Sequence, residues 1–420
     1  MVQATRQRRA PLFYGWRVVA ACFVIAAITW ALGLFGASVY LQAVTGAHGW
    51  PVAEVSSAIT LFFLVSASIQ RIVGRRIDRL GPRPVLLTGA LSLGLGVALI
   101  GQVVAPWQLY PCFVLIGIGW ACLSTTGITA TVAPWFEKHQ GRSMTLAIMG
   151  ASVGAIVGVP LLLLAIRQLG LGPGLVAAAL SAAVVLMPLI WHVLRFRGPH
   201  ELGLERDGEA ALSSGEAREP PRTLAEDGRP RVLLWTAAVG FALGLLVQIG
   251  FITHHVLLAT PLIGTANAGL LVSATGATAF AGRLILARIV DRVNVRLLAV
   301  VVMLVQSAAL LCLAVWPIVP VLVVASLVYG YGIGHITTLG PVVVRREFGA
   351  KAFGATYGAA ATAIQLISAL GPAVLGILRD AFGGYGPGLA IAAAATLVGC
   401  LALMLGGRLG RRPLARAGAT

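Results

Sequence analysis

A permanently charged side chain inside an apolar run is the first feature of this sequence that demands a chemical role. In AFAGRLILARIVDRV (279–293), Arg283 stands eight residues before the Asp291-Arg292 pair that closes the run. On a helix that separation is about 12 Å, not far from the midplane of a hydrocarbon core about 30 Å thick. An arginine at such a depth costs about 3 kcal/mol on insertion scales. Snorkelling to the interface would offset the cost, but it suits Arg288 better than Arg283. The alternative is an anion, because a guanidinium fork matches the two oxygens of a carboxylate with parallel charge-assisted hydrogen bonds. The protein supplies no obvious one. Of its 14 acids, Glu54 sits at a helix start, Asp380 at a helix end, and the rest in connections. The reading is a buried cation that receives an anion from outside the protein.

Other residues could complete such a site. Imidazole titrates near neutrality, which singles out His335, with His254 and His255 behind it. Tyr331, Tyr329, Trp120, Ser124 and Thr125 could line the same cavity, and Gln365 and Tyr357 are polar positions of a later run. Plain packing is the competing account for each of them. The five cysteines (Cys22, Cys112, Cys122, Cys312 and Cys400) lie in apolar runs, with neither metal-ligand spacing nor a disulfide framework. No metal cluster, nucleophile–base pair or phosphate loop stands out, so neither an enzyme nor a cofactor is expected.

The elements that must position Arg283 follow from composition. The chain has 420 residues, 58% hydrophobic and only 11% charged, with a mean hydropathy of +0.91. Soluble domains carry about 25% charged residues, so most of this chain faces lipid or other apolar helices. Runs long enough to span a bilayer fall near 16–42, 54–77, 84–105, 107–133, 143–166, 172–195, 232–258, 266–290, 297–316, 319–344, 353–379 and 387–407. The basic opening RQRRAPLFYGW imitates a signal peptide, but the run after it is too long and too many like it follow. It reads as an uncleaved first span. The expected fold is an all-α polytopic membrane protein of twelve transmembrane helices in two six-helix bundles, 1–195 and 232–420. Between them, 196–231 has eight acids, several arginines, Gly, Pro and Ser, and reads as a flexible linker.

The net charge of +17 would suit a nucleic acid, but its distribution does not. Of 31 Lys and Arg, 27 fall in the terminal stretches, the even-numbered connections and the linker. Arg71 and Arg283 lie within spans, and only Arg167 and Arg379 fall on the opposite side. This is the positive-inside pattern. It places both termini and the linker in the cytoplasm, with the chain in the inner (cytoplasmic) membrane and no nucleic-acid partner.

The two sixes are related. Arg75, Asp78, Arg79 and Arg83 of GRRIDRLGPRP recur as Arg288, Asp291, Arg292 and Arg296 of ARIVDRVNVRL, all 213 residues on. The same offset carries Glu54 onto Asn267 and Gly141 onto Gly354. A constant offset implies two parallel-related halves.

GRRIDRLGPR resembles the loop 2–3 signature of the major facilitator superfamily, with Gly74, Arg75, Asp78, Arg79, Gly81 and Arg83 at its fixed positions. Within that family, YGWRVVAACF (14–23), HGWPVAEVS (48–56) and PWFEKHQGRSMTLAIMGASVG (134–154) look like the monocarboxylate transporter and oxalate/formate exchanger branch. The resemblance implies that Arg283 binds the substrate carboxylate. It also implies that Asp78 engages the cytoplasmic end of span eleven when the inner side is closed. Two departures matter: the proton-coupled branch has an Asp where Ala279 stands, and oxalate exchangers have a Lys in span eleven that is missing here. One fixed cation suits one carboxylate.

GASVGAIVGVP sets Gly150, Gly154 and Gly158 four apart, a stripe that permits close helix approach. Its expected partner is span eight. The functional expectation is a secondary transporter of a small organic anion, a monocarboxylate, working as a monomer by alternating access. Efflux of hydrophobic compounds and a non-transporting anion sensor are the alternatives.

Overall fold

A computed structural model describes residues 13–208 and 231–409, except the side chains of 208, 231, 291, 345, 348–359 and 407–409. Most of the linker, both terminal stretches, and the side chains of Asp291 and Tyr357 therefore lie outside the described residues.

Among the described residues, eleven helical segments are long and apolar enough to cross a membrane, and one of them, Val232–Ile289, is 58 residues long. As one straight helix it would measure about 87 Å, nearly three hydrocarbon cores. It is broken at Gly264, whose φ of 78° and ψ of 159° no helix contains. Glycine reaches that left-handed φ without a Cβ clash, so the break yields spans seven (231–263) and eight (265–289) and a total of twelve. The others are one (Tyr14–Leu32, continued by Gly36–His48), two (Val52–Leu80), three (Pro82–Ile100) and four (Leu109–Leu123, continued by Thr125–Val132). Then come five (Gln140–Leu169), six (Leu171–Val193), nine (Val295–Val315), ten (Val319–Val344), eleven (Ala360–Phe382) and twelve (Tyr385–Leu409).

Several spans are not continuous helices, which hydropathy could not reveal. Span one unwinds at Gly33–Phe35, span four breaks at Ser124, and span five passes through a π-helical turn at Gly154–Gly158. Irregular backbone at membrane depth is tolerated where protein or a cavity covers it. At Ser124 the chain turns extended, with φ of −81° and ψ of −157°, and the residue itself is buried.

At the face carrying the linker, the YGW and PWF motifs meet. Phe13 and Tyr14 lie 6.0 and 5.5 Å from Trp135, and Trp16 lies 4.9 Å from Phe136. The Tyr14 hydroxyl donates to the Val193 carbonyl at 2.9 Å, tying span one to the end of span six. Aromatic pairs of this kind are worth about 1 kcal/mol each beyond their area. The halves themselves are joined at the opposite, far ends of their spans: Ala53 and Thr60 of span two bond to Asp380 and Ala373 of span eleven. Toward the linker face, Arg75, Asp78, Arg79 and Arg288 are exposed.

Candidate functional site

The root of Arg283 is set by a close crossing of spans eight and ten. A Cβ on Gly334 would strike the carbonyl oxygen of Ala279 and press on the Arg283 backbone nitrogen. A Cβ on Gly282 would strike the Tyr331 carbonyl. The two glycines thus let backbone meet backbone, leaving little freedom in where Arg283 begins. Neither was singled out from sequence, because the crossing is visible only once span ten lies on span eight.

From that root the half-buried guanidinium reaches into the other half of the molecule. Its Nη1 donates to Ser152 Oγ at 3.3 Å, and Ser152, in span five, is 4% exposed. A guanidinium has five N–H donors; among the described residues this long bond to a neutral acceptor is its only one, and no carboxylate pairs with it. Ser152 stands two residues before the π-helical turn, a feature often found at functional sites. Sequence reasoning passed over it, since one serine in a Gly-Ala-Ser run carries no signal of its own.

The glycine stripe does not face span eight. Cβ atoms on Gly150, Gly154 and Gly158 would strike Phe23, Ala27 and Ala31, so the stripe packs on span one. Spans five and eight meet instead through Leu163 against Gly269 and Ala155 against Gly276. The small side of that contact belongs to span eight.

The remaining candidates divide into separate groups. His335 is buried; its Nδ1 donates to the Tyr331 carbonyl at 2.9 Å, and its ring packs by Gly282, the neighbour of Arg283. Tyr331 lies beside it, with ring centroids 4.6 Å apart. Trp120 packs on Trp30 at 4.8 Å and over Gly33, where span one unwinds, and Ser124 ends the same helix. Gln365 is exposed, and Thr125 with it. The structure thus brings His335 and Tyr331 to the Arg283 crossing and leaves Trp120, Ser124 and Gln365 on other elements. His255 is bonded to Ser326 at 2.9 Å inside its own half.

The two signature loops end differently. Gly81, with φ of 84°, turns the chain from span two into span three and is followed by Pro82 at the first helical position. Arg83 lies 3.5 Å from the Trp191 ring centroid. Its repeat mate Arg296 is nearly enclosed and forms a fork–fork pair with Glu347, at 2.8 Å through both Nε and Nη2. Arg296 also donates to the carbonyls of Leu403 at 2.8 Å and Leu233 at 3.2 Å. One side chain therefore ties the ends of spans seven, nine, ten and twelve. Arg75, Asp78, Arg79, Arg288 and Arg292 are exposed, and Asp78 has no ion-pair partner among the described residues. Arg75, Arg76 and Arg79 line a small basic hollow with Ile72. Among the described residues, no group of three His, Cys, Asp or Glu side chains could hold a metal ion.

Comparison with known proteins places this architecture. The family model described as Major Facilitator Superfamily matches residues 18–372, with a second match over 255–419. The chain belongs to the Major Facilitator Superfamily. Two solved members of transporter families share the fold. One is a bacterial homologue of the human lysosomal transporter Spinster, solved inward-facing and unoccupied, at 14% identity and a TM-score of 0.69 over 97% of this chain and 100% of that one. The other is a mutant of the nucleoside transporter NupG, at 12% identity and a TM-score of 0.71 over 93% of this chain and 99% of that one. In sequence, the multidrug resistance protein MdtH of Yersinia enterocolitica is 33% identical over 111 residues, which span 26% of this chain and 27% of that protein. As a superfamily member the chain is a multi-pass membrane protein of a transporter family.

Proposed function

We propose that this transporter is a secondary carrier for a small organic anion, a monocarboxylate, with Arg283 as its anchor. The observation that carries the reading is the Arg283 guanidinium, held between the halves with, among the described residues, a lone serine hydroxyl as partner and no acid. Alternating access moves two halves about a site near the membrane midplane, and a carboxylate bridging Arg283 and Ser152 would touch both. With Ala279 buried one turn away, where an acid would balance the charge, the empty site keeps a net positive charge. Occluding that charge in a dry cavity is costly, and a bound monoanion cancels it. The loaded carrier therefore reorients faster than the empty one, which makes the transport an exchange.

This reading sits with the monocarboxylate and oxalate/formate branch, with a monomer in the inner membrane, and with both termini and the linker of 196–231 in the cytoplasm. In it, bundles 1–195 and 232–420 rock against each other, and Asp78 closes the inner side. A second reading, efflux of hydrophobic compounds, is favoured by the stretch similar to MdtH. Cationic compounds would need an acid deep in a span, and none of the described carboxylates lies there. Thermal unfolding in detergent separates the two. Small monocarboxylates should raise the melting temperature, as a ligand at 100 times its Kd contributes about 2.7 kcal/mol, and should fail to do so in Arg283→Gln. Stabilisation by hydrophobic cations alone would favour efflux.

A further inference from the structure

Asp380, at the end of span eleven, reaches across the far face to the other half. Its Oδ2 accepts the backbone N–H of Ala53 at 2.6 Å. That amide is in the first turn of span two, among those a helix leaves without partners of its own, and the helix end carries partial positive charge. The other oxygen, Oδ1, accepts from Arg379 Nη1 at 2.8 Å. The carboxylate is a quarter exposed, at 24%, so it seals the seam while staying within reach of the far-side solution.

Below it the seam is stitched by neutral bonds. Thr60 Oγ1 accepts the Ala373 N–H at 2.9 Å. His254 is fully buried between the halves. Its Nε2 faces the Pro372 carbonyl at 3.0 Å and Ser56 Oγ at 3.3 Å, and its Nδ1 faces the Tyr385 hydroxyl at 2.9 Å. A carbonyl can only accept, so Nε2 carries the proton and Nδ1 receives the tyrosine hydroxyl. Both ring nitrogens thereby have partners within the seam. Among the described residues, the only charged side chain bonded across this seam is Asp380.

We infer that Asp380 is a proton-binding site on the far face, and that a proton there unlatches the far ends of spans two and eleven. A protonated carboxyl loses the charge that makes the bond to Ala53 N–H about twice as strong as a neutral one, and loses its pairing with Arg379. The titratable groups around it are Arg379 on its own helix and His254 and Tyr385 on spans seven and twelve, with Glu54 next to Ala53 in the sequence of span two. His254 and Tyr385 both feel the charges of Arg379 and Asp380. His48, stacked on Trp50 at 4.3 Å, ends span one just before them. Because the carboxylate is sealed from the linker side, a proton that leaves on closure returns to the side it came from. The proton gates the carrier without being carried, so the site is compatible with anion exchange. The inference rests on the proposed orientation, with the far face outside, and is independent of what Arg283 binds.

Spin labels at Ala47→Cys and Phe382→Cys, both at exposed far-face positions, read the seam by pulsed electron resonance without any substrate. The background carries Cys312→Ser, since Cys312 is the exposed native thiol among the described residues. Lowering the pH from about 7.5 to about 3, below the ordinary carboxylate range, should move the distance distribution from one short population to a longer one. Asp380→Asn should show the longer population at both pH values, its ratio raised about tenfold at the higher one, with the pH response gone. Should that variant not insert, Arg379→Gln serves in its place: without the cation, opening should begin at higher pH. Parent-like distances and pH response in Asp380→Asn, or an unmoved transition in Arg379→Gln, would overturn the inference. So would a pH response that survives in Asp380→Asn and disappears in His254→Gln or Glu54→Gln.

Discussion

Arg283 Nη1 lies 3.3 Å from Ser152 Oγ, and the bond crosses from span eight of one half to span five of the other. The hydroxyl is the guanidinium's only hydrogen-bond partner among the described residues, and a weak one for a cation. An arriving carboxylate would replace it with two charge-assisted bonds. Removing the hydroxyl should therefore matter far less than removing the fork. Ser152→Ala is expected to change the apparent anion affinity by no more than about tenfold, the scale of one hydrogen bond near 1 kcal/mol. A titration of both proteins with the same monocarboxylate checks it.

The crossing that sets Arg283 can be disturbed without touching its side chain. Gly334→Ala places a methyl group against the Ala279 carbonyl and the Arg283 backbone nitrogen. Over-packing of this kind costs about 1–3 kcal/mol, here spent on moving spans eight and ten apart. Transport should fall at least tenfold while the protein still inserts. Gly46→Ala, at an exposed site with no close neighbour beyond the Gln42 side chain, should transport normally.

What could be read from sequence follows from how local each signal is. Twelve apolar runs and the 213-residue offset are patterns along one strand of text, and the all-helical fold of twelve spans follows from them. Arg283 stood out because a charge in an apolar run is conspicuous by itself. Ser152, Gly282 and Gly334 did not, because their roles exist only where two helices touch. The Gly150, Gly154 and Gly158 stripe announced close packing but not its partner, and periodicity along one helix cannot distinguish span one from span eight. The breaks at Gly33 and Ser124 were hidden for a similar reason. Hydropathy averages over a window and is indifferent to one extended residue within it.

The repeat-related arginines should differ sharply in structural weight. Arg296 is 7% exposed and pairs with Glu347, itself 21% exposed. Breaking such a pair leaves a buried charge and costs about 3 kcal/mol, so Glu347→Gln should lower the melting temperature clearly. Arg83 lies on the Trp191 ring with its Nε unpaired. Arg83→Ala should cost about 1 kcal/mol or less. Thermal unfolding in one detergent compares them.

At the linker face, the start of the linker docks on the connection before span five. Asp207 accepts the backbone N–H groups of Glu137, Lys138 and His139 at 2.9, 2.8 and 3.2 Å, with His139 Nδ1 at 3.1 Å. Burial pushes its carboxyl up, but these bonds outweigh it and hold it below the ordinary 3.8. A depressed carboxyl stabilises the docked state above its unfolded value and loses that contribution as pH falls through the folded one. Docking should therefore be constant from neutrality down to about pH 4 and weaken only below it. Asp207→Asn should undock at all pH values, with faster hydrogen exchange at amides 137–139. Protection that faded already between pH 7 and 5 would contradict the role given to the Asp207 carboxylate.

The central claim is that a fixed cation at Arg283 binds a carboxylate and makes the loaded carrier the mobile one. Counterflow of radiolabelled monocarboxylates into proteoliposomes, with and without internal substrate at equal pH, tests it most directly. The account predicts that internal substrate accelerates uptake strongly in the parent protein. It also predicts that Arg283→Lys, which keeps the charge and loses the fork, abolishes that acceleration, while Arg288→Lys is mild. Near-normal counterflow in Arg283→Lys, or full uptake into empty liposomes driven by a pH gradient alone, would contradict it.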